Sequence, residues 1–213
     1  ENPIDNHQLV KSIANFISSS QDDQFPFLGI DMVAYEESKD ALEAGYLPYL
    51  EMLNREKSGR PFLWRTIHAG EHGKVENVRD SILLGTNRIG HGVKAAEDLV
   101  TLEWLRRLKL PIEINITSNY YLGAVTLGQA HPFLDYYRLG IPVNLSTDDE
   151  GIFNTSINHE CEWVVKNTDI KYLELKEIFY NSIRGSFLIA PAKEKLLQQM
   201  DKMYQEFESV NFK

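Results

Sequence analysis

The sequence predicts an α/β fold built on a parallel sheet, and three observations carry that prediction. Five apolar runs of strand length recur along the 213 residues. Segments of helical periodicity separate them, which implies βα units rather than hairpins. A polar group of a kind that does chemistry closes each run: Asp31, His68, His91, Ser118 with Asn119, and Asp148 with Asp149. In parallel α/β sheets chemistry collects at the carboxyl ends of the strands. Strand ends of one barrel converge such groups, where helices would scatter them.

The elements follow in order. A helix is predicted over 6–18, then a strand over 25–33 (FPFLGIDMV). A helix over 39–57 is broken by Gly59, Arg60 and Pro61. The second strand is FLWRTIHAG, 62–70, followed by an amphipathic helix over 75–85 with a glycine stop. RIGHG, 88–92, is a short third strand, and a helix over 96–110 ends at Pro111. The fourth strand, 111–119, shows partial alternation. A short helix over 131–140 again closes on glycine, and 141–149 (IPVNLSTDD) is the last strand. Helices over 157–168, 173–187 and 192–210 complete the chain. No repeat of fixed period is found. The whole of 1–213 is expected to form one unit, with 189–213 as a C-terminal helix docking on it.

Composition narrows the function classes. A hydrophobic fraction of 43% and a charged fraction of 25% are ordinary for a globular chain. A net charge of −9 and a pI of about 5.2 argue against binding nucleic-acid backbones, which needs a basic surface, yet leave a nucleoside or base open. Cys161 is the single cysteine, so no intrachain disulfide forms. No apolar run reaches the ~20 residues of a membrane span, so no membrane partner is expected. The chain begins at Glu1 without a methionine, which is consistent with a mature form or a piece of a longer protein. The compartment stays open.

His68, His91 and Asp148 are of ligand type for zinc, and also for iron or manganese. Glu71, beside His68, is placed to carry a proton, a role that partial burial favours by raising a carboxyl pKa. A metal lowers the pKa of water to about 7. Together these parts describe hydrolysis, with water activated on one side and the leaving atom or a ring nitrogen protonated on the other.

HAGE (68–71), RIGHG (88–92), SN (118–119) and LSTDD (145–149), preceded by FLGIDM (27–32), occur in this order at strand ends. The set resembles the adenosine deaminase family, including its adenosine-deaminase-related growth factor branch and the AMP deaminases. The match runs from about Phe27 to Phe187, with NSIRGSFL (181–188) similar to the family's closing helix. The resemblance implies a (β/α)₈ barrel with one Zn2+. It implies His68 and Asp148 as metal ligands, Asp148 also bonding the attacking water, and Glu71 as the donor of a proton to purine N1. His91 would orient the water and take its proton, or stabilise it electrostatically. Asp149 would bond purine N7, and the Gly29 N–H would meet N3. The implied reaction converts adenosine and water into inosine and ammonia.

One departure is large. The family opens on an HxH pair that supplies two further zinc ligands, and the six histidines here, His7, His68, His72, His91, His131 and His159, contain no such pair. In the family's order the strand ending in GID is the fourth of eight. Strands 4–8 are therefore expected here, and strands 1–3 in an N-terminal portion outside this sequence. Five of eight barrel strands would leave two edges open. Such a piece should stay with its N-terminal portion or pair with a second copy, and alone should bind metal poorly and be inactive.

Blander readings compete at single residues. His68 with Glu71 could be a capped strand end, and His91 between glycines a tight turn. Asp148 or Asp149 could be an N-cap. Ser118 and Asn119 could stabilise a loop as readily as touch a substrate. His131, before Pro132, reads as structural, His72 as a surface neighbour of the site, His7 and His159 as solvated, Cys161 as core, and Glu36 and Glu37 as an exposed face. Alternative functions are a deaminase of AMP, adenine or a modified adenine nucleoside, or a non-catalytic binder. No Gly-rich phosphate loop with lysine is found, which weighs against AMP.

Overall fold

A computed structural model of the chain describes residues 7–13, 15, 29–33, 41–57 and 63–212. Glu36, Glu37 and the first half of the expected strand over 25–33 lie outside the described residues. Residues 7–13 are helical. Five strands follow: β1 (Gly29–Met32), β2 (Trp64–Ala69), β3 (Arg88–His91), β4 (Ile112–Ile114) and β5 (Val143–Leu145). All pair in parallel, in the order of the sequence. The predicted α/β architecture is therefore present, with one helical crossover per strand.

Between the strands run α1 (Ala41–Lys57), α2 (Val75–Leu83), a 3₁₀ turn over Val93–Glu97, α3 (Leu99–Leu108), α4 (Ile116–Tyr121) and α5 (Phe133–Arg138). After β5 come α6 (Glu150–Phe153), α7 (Ile157–Asn167), α8 (Tyr172–Arg184) and α9 (Ala190–Asn211). The core fills from both faces of β3 to β5. Ile89, Ile112, Ile114, Val143 and Leu145 pack with Leu105 of α3, Phe133 and Tyr136 of α5, Val164 of α7 and Ile178 of α8. Burial on two faces explains why these strands read as continuous apolar runs. The long α9 docks on α8: the Tyr172 hydroxyl donates to Glu208, the Tyr180 hydroxyl to Asp201, and Lys176 pairs with Glu208.

Two boundaries differ from expectation, each for a local reason. The helix expected from residue 96 begins at Leu99, because the Asp98 carboxylate accepts from the Thr101 N–H at 2.7 Å and caps it. The residues before it close the 3₁₀ turn instead. The fourth strand, expected to residue 119, ends at Ile114, and Ser118 and Asn119 sit on α4. The alternation of Ile112, Ile114 and Ile116 resembles a strand. However, the fully buried Glu160 of α7 accepts from the Thr117 N–H at 3.1 Å, which satisfies a donor in the first turn of α4 and holds the chain there. No helix among the described residues is long and apolar enough to cross a membrane.

Candidate active site

The site is built where β2, β3 and β5 end. His68 is the penultimate residue of β2, and its partner in register is Gly90 of β3. A side chain at that neighbour would crowd the imidazole: a Cβ on Gly90 would stand 3.2 Å from the His68 ring. His91 closes β3 with φ 66° and Asp148 follows β5 with φ 57°. Both occupy the left-handed region that non-glycine residues rarely enter, and such positions gather at functional sites. Gly92, at φ 61°, continues the turn, and the Tyr136 hydroxyl donates to the carbonyls of Gly92 and Val93 from below. The path of the chain past His91 is thus fixed by the core.

These turns bring Glu71, His91 and Asp148 together. One potential ligand atom from each lies within 4.8 Å of the other two. His91 Nδ1 is 3.5 Å from Glu71 Oε1, and His91 Nε2 is 3.9 Å from Asp148 Oδ2. The Ser118 hydroxyl donates to Asp148 Oδ2 at 2.7 Å. His68 packs beside His91, ring centroids 4.9 Å apart, and its Nδ1–H donates to Asp31 Oδ1 at 3.1 Å. A histidine whose Nδ1 proton is held by a carboxylate keeps Nε2 free as a donor atom, the usual arrangement of a metal-binding imidazole. Imidazole and carboxylate oxygen together suit a borderline divalent ion, so the residues present fit a metal centre.

Charge is arranged unevenly over the two imidazoles. Burial depresses the basicity of His91, as does the neighbouring positive charge of His68; Asp148 opposes both, and the pKa falls to about 4. Burial also opposes protonation of His68, but the hydrogen bond and charge of Asp31, with Glu113 and Asp148, more than offset it and the pKa rises. Glu113, raised by burial despite its ion pair with Arg88, adds a further acid beneath the site.

The remaining positions separate. Asp149 stands at the N-cap position of α6, but its side chain makes no capping bond. Gly29 lies at the start of β1. It pairs with Trp64 at the start of β2, four residues before His68, or about 13 Å along the strand. Its lack of a side chain serves packing, since a Cβ there would meet the Trp64 carbonyl at 2.7 Å and Phe187 at 2.9 Å. Three residues outside the sequence-derived site enter its surroundings: Asp31, Asn115 and His131. Asp31 had a visible signal, a carboxylate at the end of the first strand. Asn115 and His131 had none. A groove of about 650 Å³ lined by Tyr120, His131, Arg138, His159 and Trp163 lies beside α4 and contains none of Glu71, His91 or Asp148.

The family model for adenosine deaminase matches residues 10–203. The chain belongs to the adenosine deaminase family. An adenosine deaminase from Clostridium perfringens is 34% identical over 193 residues, covering 89% of this chain and 56% of that protein. The chain therefore spans about half the length of the curated relatives it matches. Among solved structures, an adenine deaminase from Arthrobacter aurescens superposes with a TM-score of 0.81 at 23% identity, over 96% of this chain and 58% of that one. An amidohydrolase from Burkholderia ambifaria with bound zinc gives 0.81 at 19% identity, over 99% of this chain and 56% of its own. These likenesses establish the deaminase-family fold, with the five strands here matching part of a larger barrel.

Proposed function

We propose that this deaminase-family chain carries part of the active site of a metal-dependent aminohydrolase that converts adenosine and water into inosine and ammonia. The observation that carries the reading is the convergence of Glu71, His91 and Asp148 within 4.8 Å, from three separate strand ends. The 34% identity to an adenosine deaminase supports the nucleoside over other adenine compounds.

In this reading His68 and Asp148 hold the ion, together with ligands from outside the described residues. The metal, when bound, supplies Lewis acidity that makes water nucleophilic at neutral pH. Asp31 orients His68 through its Nδ1 proton. Ser118 fixes one carboxylate oxygen of Asp148, which limits how that side chain can turn. Glu71 gives a proton to purine N1, so that C6 accepts the attacking oxygen. His91 orients the water, and Asp149 bonds N7. The water gives up two protons: one replaces the proton that Glu71 gave to N1 and the other goes to the exocyclic amine, so that the C6–N bond breaks, ammonia leaves and C6 keeps the oxygen as a carbonyl.

The test is ammonia release from adenosine, adenine and AMP by the protein that contains this chain, loaded with zinc. Adenosine should be turned over fastest. Glu71→Gln should lower kcat by about 100-fold or more, because general acid catalysis of this kind is worth that much. Undiminished turnover by that variant would remove Glu71 from the chemistry.

A further inference from the structure

A buried chain of hydrogen bonds runs from the backbone of α5 to His91. The Phe133 N–H donates to His131 Nδ1 at 3.2 Å. A backbone amide can only donate, so Nδ1 of His131 carries the lone pair and Nε2 carries the proton. That Nε2 lies 3.0 Å from Asn119 Oδ1, which accepts from it. The orientation of the Asn119 amide follows: its Nδ2 faces His91 Nδ1 at 3.0 Å and donates. Asn115 Nδ2, 3.1 Å from the same atom, donates to it as well. His91 Nδ1 is therefore an acceptor, and a neutral His91 bears its proton on Nε2, the nitrogen that faces Asp148. Asn119 is wholly buried, and Asn115 and His131 nearly so.

We propose that His131 is a positioning residue, which through Asn119 fixes the His91 proton on Nε2. The consequence reaches the active site. With its proton on Nε2, a neutral His91 presents an N–H, not a lone pair, toward Asp148, and a nitrogen so protonated does not ligate a metal. Of the three groups within ligand distance of one another, His91 is then the donor that holds an oxygen in place, and the ion falls to Asp148 and its other partners. Burial keeps His131 neutral, its pKa pushed down to about 3, which preserves the lone pair that the Phe133 N–H needs.

The inference deepens the proposed function and rests on it only for its kinetic consequence; the tautomer itself is read without any activity. Ring-nitrogen NMR of isotope-labelled histidine in the protein that contains this chain should show both His91 and His131 protonated at Nε2. His131→Leu removes the donor that orients Asn119. A second His91 tautomer, protonated at Nδ1, should then appear, and kcat for adenosine should fall about 10- to 100-fold with KM little changed. His131→Gln restores a donor near the Nε2 position and should recover a single tautomer and most of kcat. A wild-type spectrum with His91 protonated at Nδ1 overturns the proposal, as does a His131→Leu protein whose His91 spectrum is unaltered. A protein with the expected tautomers but no deaminase activity would leave the relay standing and sink the assigned reaction.

Discussion

At the scale of single residues, the site is held by backbone conformations that its side chains do not favour. Asp148 sits at φ 57°, where asparagine is also tolerated. Asp148→Asn should therefore keep the fold, with an unchanged circular dichroism spectrum, and lose the charge. Zinc affinity, measured by competition with a chelator, should fall by at least about 100-fold. Gly92 is a different case. A Cβ there would lie 2.9 Å from Ile112 Cγ2 at a φ of 61°. Gly92→Ala should cost about 1–3 kcal/mol in urea unfolding and disturb His91 next to it. The motifs HAGE and LSTDD were legible because each carries its chemistry in a few adjacent letters. Asn119 was visible in the SN motif, but its links to Asn115, His131 and His91 were not legible, because they are contacts across α4 and α5.

At the scale of elements, the helices were found by period and misjudged at their ends. α3 shows both. Its buried face is set by residues such as Thr101 and Leu105, neither of which has any exposed surface. Leu105→Ala should destabilise by about 2–5 kcal/mol, the range for a buried leucine beneath a sheet. Asp98→Ala, which removes only the cap, should lower the melting temperature by a smaller margin. β4 gave way to α4 because of Glu160, forty-three residues from Thr117 in sequence. A window of local sequence contains no sign of such a partner, so the alternating isoleucines were read as a longer strand.

At the scale of the whole molecule, two buried imidazoles tie stability to pH. In the unfolded chain a histidine titrates near 6.5, whereas His131 and His91 in the fold are depressed to about 3 and about 4. Between pH 6.5 and about 4 the unfolded chain binds the extra protons, so stability is complete above 6.5 and is lost as pH falls. For the metal-free protein the slope should approach about 2.7 kcal/mol per pH unit over pH 5–6, from two protons, and urea unfolding of His131→Leu should show about half of it. His68, with a raised pKa, acts in the opposite direction and in another window, adding stability below 6.5 that is lost as pH rises through its folded pKa. The sheet makes a further prediction. Among the described residues β1 pairs only with β2 and β5 only with β4, leaving two edges that can pair. Expressed by itself, the 24.5 kDa chain should elute above its monomer mass in light-scattering chromatography.

The sequence by itself determined the parallel α/β order, the family, and the strand ends from which Glu71, His91 and Asp148 come. Periodicity and short motifs are local properties, and each segment carries its own share. Only the tertiary structure decided which groups meet: that His68 turns to Asp31, that Gly29 lies a strand's length from the cluster, and that His131 reaches His91 through Asn119. These depend on the register between strands and on packing of helices far apart in sequence, where a single hydrogen bond made by a backbone amide is passed across the core to the imidazole at the site.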